Sequence, residues 1–201
     1  MVKDRLISST ALPGEPLPNL SASISARAAW QSFPAVFRSA YGRTRTETRW
    51  HWVTYYDEDG DPYQVYEARA FGASAMLLIA AVLDVHQAED LAGLAKELGL
   101  EVLMELHGED EFGYMVDGVT VAGINNRNLK TFEVDLEHSI RMANMLPAQL
   151  PKISESGIRT IDDMKKLRAE GGFDGFLIGE NFMKEEHPGK ACIEFCQRYS
   201  Y

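Results

Sequence analysis

The chain predicts an α/β fold, a parallel sheet with helices packed on it, from three observations. Short runs apolar on both faces begin near residues 76, 102, 120, 152 and 175. Helical patterns separate them, and the steps of 26, 18, 32 and 23 residues match the size of a strand–helix unit. Strands buried on both faces and joined by helices belong to parallel sheets. Polar residues also gather at the carboxyl end of strand after strand: Glu105, Asn125 with Arg127, Glu155-Ser156-Gly157 and Gly179-Glu180. That ring is how a (β/α) barrel makes its site. A doubly wound sheet fits the element order too, but no Gly-x-Gly-x-x-Gly follows the first strands.

The elements follow in order. Residues 1–49 are rich in Ser, Ala, Arg and Pro, show no sustained period, and are broken by Pro13, Pro16 and Pro18. They read as irregular. A weaker reading of the same composition is an organelle transit peptide. Arg49–Tyr56 is richer in strand formers, and Asp57-Glu-Asp-Gly60 makes a turn. Asp61-Pro62 starts a helix over Tyr63–Phe71, with the carboxylate as cap and Pro at the first helical position, and Gly72 stops it. Met76–Leu83 reads as a buried strand, Gln87–Leu98 as a helix stopped by Gly99, and Val102–Leu106 as a strand. A short helix near Glu109–Met115 precedes strand Thr120–Ile124, then helix Leu136–Leu146 and strand Lys152–Ser154. Thr160-Ile-Asp-Asp163 has the form of a capping box opening helix Ile161–Glu170. Strand Gly175–Ile178 and a helix near Lys190–Arg198 complete the series. The chain therefore divides into a divergent segment, residues 1–60, and a barrel portion, residues 61–201.

Composition narrows the function classes. Of 201 residues, 45% are apolar and 25% charged, which excludes collagen-like, coiled-coil and wholly disordered chains. The net charge is −10, split as +1 over residues 1–60 and −11 over the rest, so neither nucleic acid nor an anionic membrane is the expected partner. The longest apolar run, Met76–Leu83, falls short of the about 20 residues a spanning helix needs. The first residues lack a secretory core. Cys192 and Cys196 are too few for a disulfide framework, and no metal-ligand spacing occurs. A reducing cytoplasm is the simplest expectation, with the cysteines as packing residues. The five histidines, His51, His86, His107, His138 and His187, read as surface or loop residues.

Three segments can carry chemistry. In Val102-Leu-Met-Glu-Leu-His107, alternation puts Glu105 on one face with Leu103, and Met104 with Leu106 on the other. A carboxylate among inward apolar groups is costly unless paired. It reads as a general base or electrostatic stabiliser with a raised pKa, against the plainer reading of a solvated loop Glu. Asn125 and Arg127, leaving a strand in Gly123-Ile-Asn-Asn-Arg-Asn-Leu129, can hold a hydroxyl and a carboxylate, or form only a hydrogen-bonded turn. Ser154-Glu-Ser-Gly-Ile158 and Ile178-Gly-Glu-Asn181 end consecutive strands in small residues, the usual make-up of a phosphate cradle.

Together these segments resemble the indole-3-glycerol-phosphate synthase family. The resemblance runs from Asp61 to about Phe195, carried by Asp61–Arg69, Leu77–Leu83, Leu98–His107, Gly123–Phe132, Ser154–Arg159 and Phe176–Met183. It implies a TIM (β/α)8-type barrel, here partial, with strands four to eight matched. It implies a carboxy-lyase of tryptophan biosynthesis, closing 1-(o-carboxyphenylamino)-1-deoxyribulose 5-phosphate to indole-3-glycerol phosphate with loss of carbon dioxide and water. No cofactor or metal is implied. By resemblance, Glu105, Asn125 and Glu155 are catalytic. Arg127 serves the substrate's carboxylate side, and Ser156, Gly157, Gly179 and Glu180 form the phosphate cradle, the Glu180 side chain turned away from the anion.

The departures are as specific as the matches. The family's first-strand Glu-x-Lys and Ser-Pro-Ser are absent. Its third-strand Lys-Asp is replaced by Tyr56-Asp57, and no lysine lies between Lys3 and Lys96. A tyrosine hydroxyl can donate a proton but brings no positive charge. Arg43, Arg45 and Arg49 are cations but poor acids. Five strands cannot close an eight-stranded barrel, so self-association through open sheet edges is expected unless residues 1–60 or another chain supply strands. The rival to an enzyme is thus a non-catalytic barrel piece that binds phosphate or needs a partner chain. A different phosphate-binding barrel, such as phosphoribosylanthranilate isomerase, needs a cysteine–aspartate pair that finds no place here.

Overall fold

Five apolar runs become five adjacent parallel strands, and the helices between them pack on one side. A computed structural model describes Leu6–Ile7, Ala35–Val36, Trp52–Thr54 and residues 62–199. The strands are β1 (Leu6–Ile7), β2 (Ala35–Val36), β3 (Trp52–Thr54), β4 (Ala75–Ile79), β5 (Glu101–Leu106), β6 (Val121–Asn125), β7 (Lys152–Glu155) and β8 (Gly175–Leu177). They form one eight-stranded sheet in the order β1-β2-β8-β7-β6-β5-β4-β3. From β3 to β8 every pairing is parallel; β2 runs antiparallel to both β8 and β1. The helices are α1 (Tyr63–Ala70), α2 (Val85–Glu97), α3 (Leu136–Met145), α4 (Ile161–Gly171), α5 (Glu180–Met183) and α6 (Pro188–Tyr199). The fold is α/β, a partial (β/α) barrel.

Alternation along the strands sorts the core into two faces. Met76, Leu78, Val102, Met104, Leu106, Ala122, Ile124 and Phe176 are buried against the helices, with Leu91, Ala92, Met142, Met164 and Leu167. Leu77, Leu103, Val121 and Ile153 make a smaller cluster on the other face, joined by Ile79 and Leu177. Burying a leucine side chain of either set is worth roughly 1.5–3 kcal/mol. The helix-side cluster is far larger and carries most of the hydrophobic stabilisation.

Helix boundaries follow their caps. Thr160 accepts a hydrogen bond from the Asp163 amide at 3.1 Å while Asp163 accepts from the Thr160 amide at 2.8 Å, the expected capping box. Gly172, left-handed at φ 66°, ends α4. Helix α2 starts at Val85, before the expected Gln87, because Asp84 and Gln87 form a second capping box. The segment Glu109–Tyr114 is a 3-10 turn.

Three expectations need correction or lie elsewhere. The run Met76–Leu83 is not one strand: β4 ends at Ile79 and Ala80–Val82 is a 3-10 turn. Apolarity alone does not separate a strand from the buried turn that follows it. Here the Tyr114 hydroxyl donates to the Leu83 carbonyl at 2.7 Å and anchors the turn. Pro62 takes the N-cap place of α1, with no side-chain cap. The expected cap Asp61, the Asp57–Gly60 turn, Tyr56 and the irregular or transit reading of residues 1–49 fall outside the described residues, apart from β1 and β2. Within Arg49–Tyr56, Trp52–Thr54 forms β3 beside β4.

Candidate active site

Because β3 to β8 are parallel, their carboxyl ends lie at one end of the sheet. Register brings the tips together. Ile79 is level with Glu105 and Glu105 with Gly123; Asn125 is level with Glu155 and Glu155 with Leu177. Above them opens a hollow of ≈ 370 Å³, whose floor is Leu77, Ile79 and Leu177 and whose polar wall holds Glu105, Asn125, Arg127 and Glu155. Ser156, Gly157, Gly179 and Glu180 also border it. The structure therefore brings all eight expected residues to one cavity.

Glu105 is inside β5 and only 9% exposed, so the solvated-loop reading fails. Its Oε1 accepts from Asn125 Nδ2 at 2.8 Å. His107 Nε2 stands 3.1 Å from the same oxygen, at ion-pair distance but without hydrogen-bond alignment. Glu155 is 5% exposed, and its Oε1 is buried without a hydrogen-bond partner. Burial first, and the negative charge of Glu105 second, push the Glu155 carboxyl well above the usual carboxylate range.

Gly123 makes room for the Glu155 carboxyl. A Cβ at that position would lie 2.0 Å from Glu155 Oε1 and 2.7 Å from Leu103 Cδ2. Gly157 is required for a similar reason: it is left-handed at φ 68°, and a Cβ would meet Val134 Cγ1 at 2.3 Å. Ser156 before it is also left-handed, at φ 65°. Buried Asn126 clamps the turn, donating to Ser154 Oγ at 2.9 Å and to the Ser156 carbonyl at 2.7 Å. Asn125 Oδ1 accepts from the Arg127 amide at 2.9 Å, which fixes the start of the loop after β6.

Arg127 reaches across the mouth to Glu180, and its Nη2 donates to Glu180 Oε2. That guanidinium, helped by Arg159 and Lys184, holds the Glu180 carboxyl below its ordinary range. Arg127 Nε is buried with no acceptor. Arg159, Asn181 and Lys184 line the same side of the hollow, and Asn181 Nδ2 donates to the Arg159 carbonyl at 3.1 Å.

One histidine reading is overturned. His107 is not a surface residue, since its side chain is 11% exposed. Its Nδ1 lies 3.8 Å from Glu111 Oε2, and its amide donates to the same oxygen at 2.5 Å. Burial alone would lower its pKa, but Glu105 and Glu111 outweigh that and raise it to about 9. The sequence signal was available: His107 follows Glu105 by two at the strand end, where alternation extended by one residue turns both the same way, and Glu111 follows at four. Arg159 and Lys184 had no comparable signal, because loops set their direction. The cysteines form no disulfide; Cys192 is buried and Cys196 half-buried, their sulfurs lie 3.9 Å apart, and burial lifts the Cys196 thiol to about 12. Among the described residues, no group of three His, Cys, Asp or Glu is placed to hold a metal.

Comparisons with known proteins point to one family. Residues 59–195 match the family described as "Indole-3-glycerol phosphate synthase". The protein of that name from Bacteroides thetaiotaomicron is 49% identical over 135 residues, covering 67% of this chain and 52% of its own length. The one from Lachnospira eligens is 47% identical over 146 residues, 70% of this chain and 54% of its own. The chain spans about half the length of the curated relatives it matches. Among solved structures, a chain of the tryptophan synthase α2β2 complex from Pyrococcus furiosus superposes with TM-score 0.57 at 16% identity, over 78% of this chain and 68% of that one. The native KDPGal structure gives 0.53 at 14%, over 70% and 63%. At such identities the likeness concerns the fold alone.

Proposed function

This chain belongs to the indole-3-glycerol phosphate synthase family, and from that premise we propose that residues 61–201 carry the acid–base centre and phosphate end of that family's ring closure. The substrate is 1-(o-carboxyphenylamino)-1-deoxyribulose 5-phosphate. The reaction joins the ring to the ketose chain and expels carbon dioxide and water. The observation that carries the reading is the convergence of Glu105, Asn125, Arg127, Glu155, Ser156, Gly157, Gly179 and Glu180 on one hollow.

The aromatic carbon that joins the chain gives up its carboxylate as carbon dioxide, not a proton; the dehydration that follows needs one proton delivered to the departing hydroxyl and another withdrawn from the carbon beside the nitrogen. Two carboxyls in different states suit that pair of tasks. Glu155, whose carboxyl burial and the Glu105 charge push up, is assigned as the proton donor. Glu105, steadied by Asn125, is the acceptor. Arg127 meets the anthranilate carboxylate, with its buried unpaired Nε as the open donor. The phosphate rests by Ser156-Gly157 and Gly179-Glu180, near the cations Arg159 and Lys184. No cofactor takes part, and the place of action is the cytoplasm.

The test is indole fluorescence with the carboxyphenylamino ribulose phosphate. Turnover supports catalysis by this chain without the early-strand lysines, and its absence in well-folded protein rejects that catalysis while leaving the family assignment standing. Glu105→Gln lowers kcat by about 10²–10⁴-fold while inorganic phosphate binding stays within about twofold. Collapse of phosphate affinity would overturn the assignment of Glu105 as base. Arg127→Ala weakens binding of a carboxyphenylamino analogue about tenfold, a bond of roughly 1.5 kcal/mol, and leaves phosphate binding unchanged. Equal losses would refute that role.

A second reading has its own support. The sheet ends at β1 and β3, both of three residues or fewer, and the chain matches only half of each relative. In this reading the chain binds phosphate and becomes complete only beside another chain or a second copy.

A further inference from the structure

We propose that His107 is a positioning residue that decides which of two facing carboxyls carries the proton: clamped between Glu105 and Glu111, its imidazolium keeps negative charge on Glu105 and leaves the proton on Glu155. The proposal rests on the reading of Glu105 and Glu155 as an acid–base pair.

Glu155 lies beside Glu105 in a buried site, and burial with the neighbouring negative charge raises its carboxyl; two such acids left alone share a proton. Something must break the tie if one is to donate and the other to accept. The surroundings are unequal. Glu105 receives the Asn125 amide at 2.8 Å and has His107 at 3.1 Å, while Glu155 Oε1 has no partner. Asn125 is neutral and polarises either state weakly. His107 brings a whole charge, and it remains an imidazolium through neutral pH because Glu111 holds its far nitrogen at 3.8 Å.

The charged and titratable groups facing the ring are Glu105 from β5 and Glu111 from the 3-10 turn. From α3, His138 Nε2 lies 3.2 Å from the His107 carbonyl. That contact, with the His107 amide on Glu111, fixes the backbone on both sides of the ring. The geometry is a relay, Glu111–His107–Glu105–Glu155, in which only the last carboxyl is free of positive charge.

The experiment is a carbon-13 glutamate and histidine titration by NMR on the full chain, with signals assigned through Glu105→Gln and Glu155→Gln. In the unaltered chain the His107 ring is expected to titrate near pH 9, and Glu155 to keep its proton to a higher pH than an ordinary glutamate. In His107→Gln the two carboxyl signals move together in one shared step. Carboxyl titrations in His107→Gln within about 0.3 unit of the unaltered chain overturn the proposal, as does a His107 ring titrating near 6.5. If His107→Gln does not fold, Glu111→Gln answers: the His107 step must fall by about one unit or more, and an unmoved step overturns the proposal. Where the chain turns over, the acid limb of the kcat profile shifts in His107→Gln while KM stays within about twofold; an unshifted profile counts against the proposal. Absence of turnover with the titration pattern intact refutes the proposed function and leaves the role of His107 standing.

Discussion

Gly123 sets the position of Glu155 by its size. With a Cβ 2.0 Å from Glu155 Oε1, an alanine must drive the carboxyl off its seat or push β6 away from β7. Gly123→Ala is expected to cost about 1–3 kcal/mol in urea unfolding and to remove turnover along with it. A variant of unchanged stability and activity would show that the pair tolerates displacement. Substitution at Glu155 acts differently. The group is buried and its carboxyl is pushed up by burial, so Glu155→Gln keeps the shape and replaces a titrating group with one that does not ionise. Size and charge at this end of β6 and β7 can therefore be varied separately.

At the scale of elements, the junction between β5 and its 3-10 turn couples pH to stability. His107 binds its proton more tightly folded than unfolded. Its contribution is complete below 6.5 and fades as pH climbs through about 9. Glu155 works in the same sense, its penalty growing as pH rises above 4.5. Glu111, whose carboxyl is lowered by His107, acts oppositely and gives up its share as pH falls below 4.5. Thermal melts should therefore show the midpoint dropping between pH 6.5 and 9.5, with a shallower fall for His107→Gln. Parallel curves for the two proteins would mean His107 exchanges no proton on unfolding.

The same elements show what could be read in advance. Runs apolar on both faces located five strands, and Thr160 with Asp163 marked the start of α4. Alternation placed Glu105 inward with Leu103. The splitting of Met76–Leu83, the four-residue α5 and the burial of His107 were not read. Each depends on where the chain goes after a strand ends, and periodicity is silent once the period stops.

At the scale of the molecule, the sheet has two ends, β1 with two residues and β3 with three. Short edges limit strand-to-strand stacking, yet parallel sheets rarely stand open. Light scattering after size exclusion is expected to give a mass above 22.5 kDa, and phosphate should tighten the assembly if the hollow is completed by a second copy. A monomer at all concentrations would remove the association reading.

The division of the core into a broad helix-side packing and a small cluster beneath the hollow has a practical consequence. Whatever holds the chain folded faces one way, and whatever touches a ligand faces the other. In the loops beyond β5, β6 and β7, a protein engineer can exchange the side chains that face the hollow while keeping Tyr114, Asn126 and Ile158, which tie those loops to the scaffold. New specificity on this frame should come cheaply, provided the glycine beside the Glu155 carboxyl is left alone.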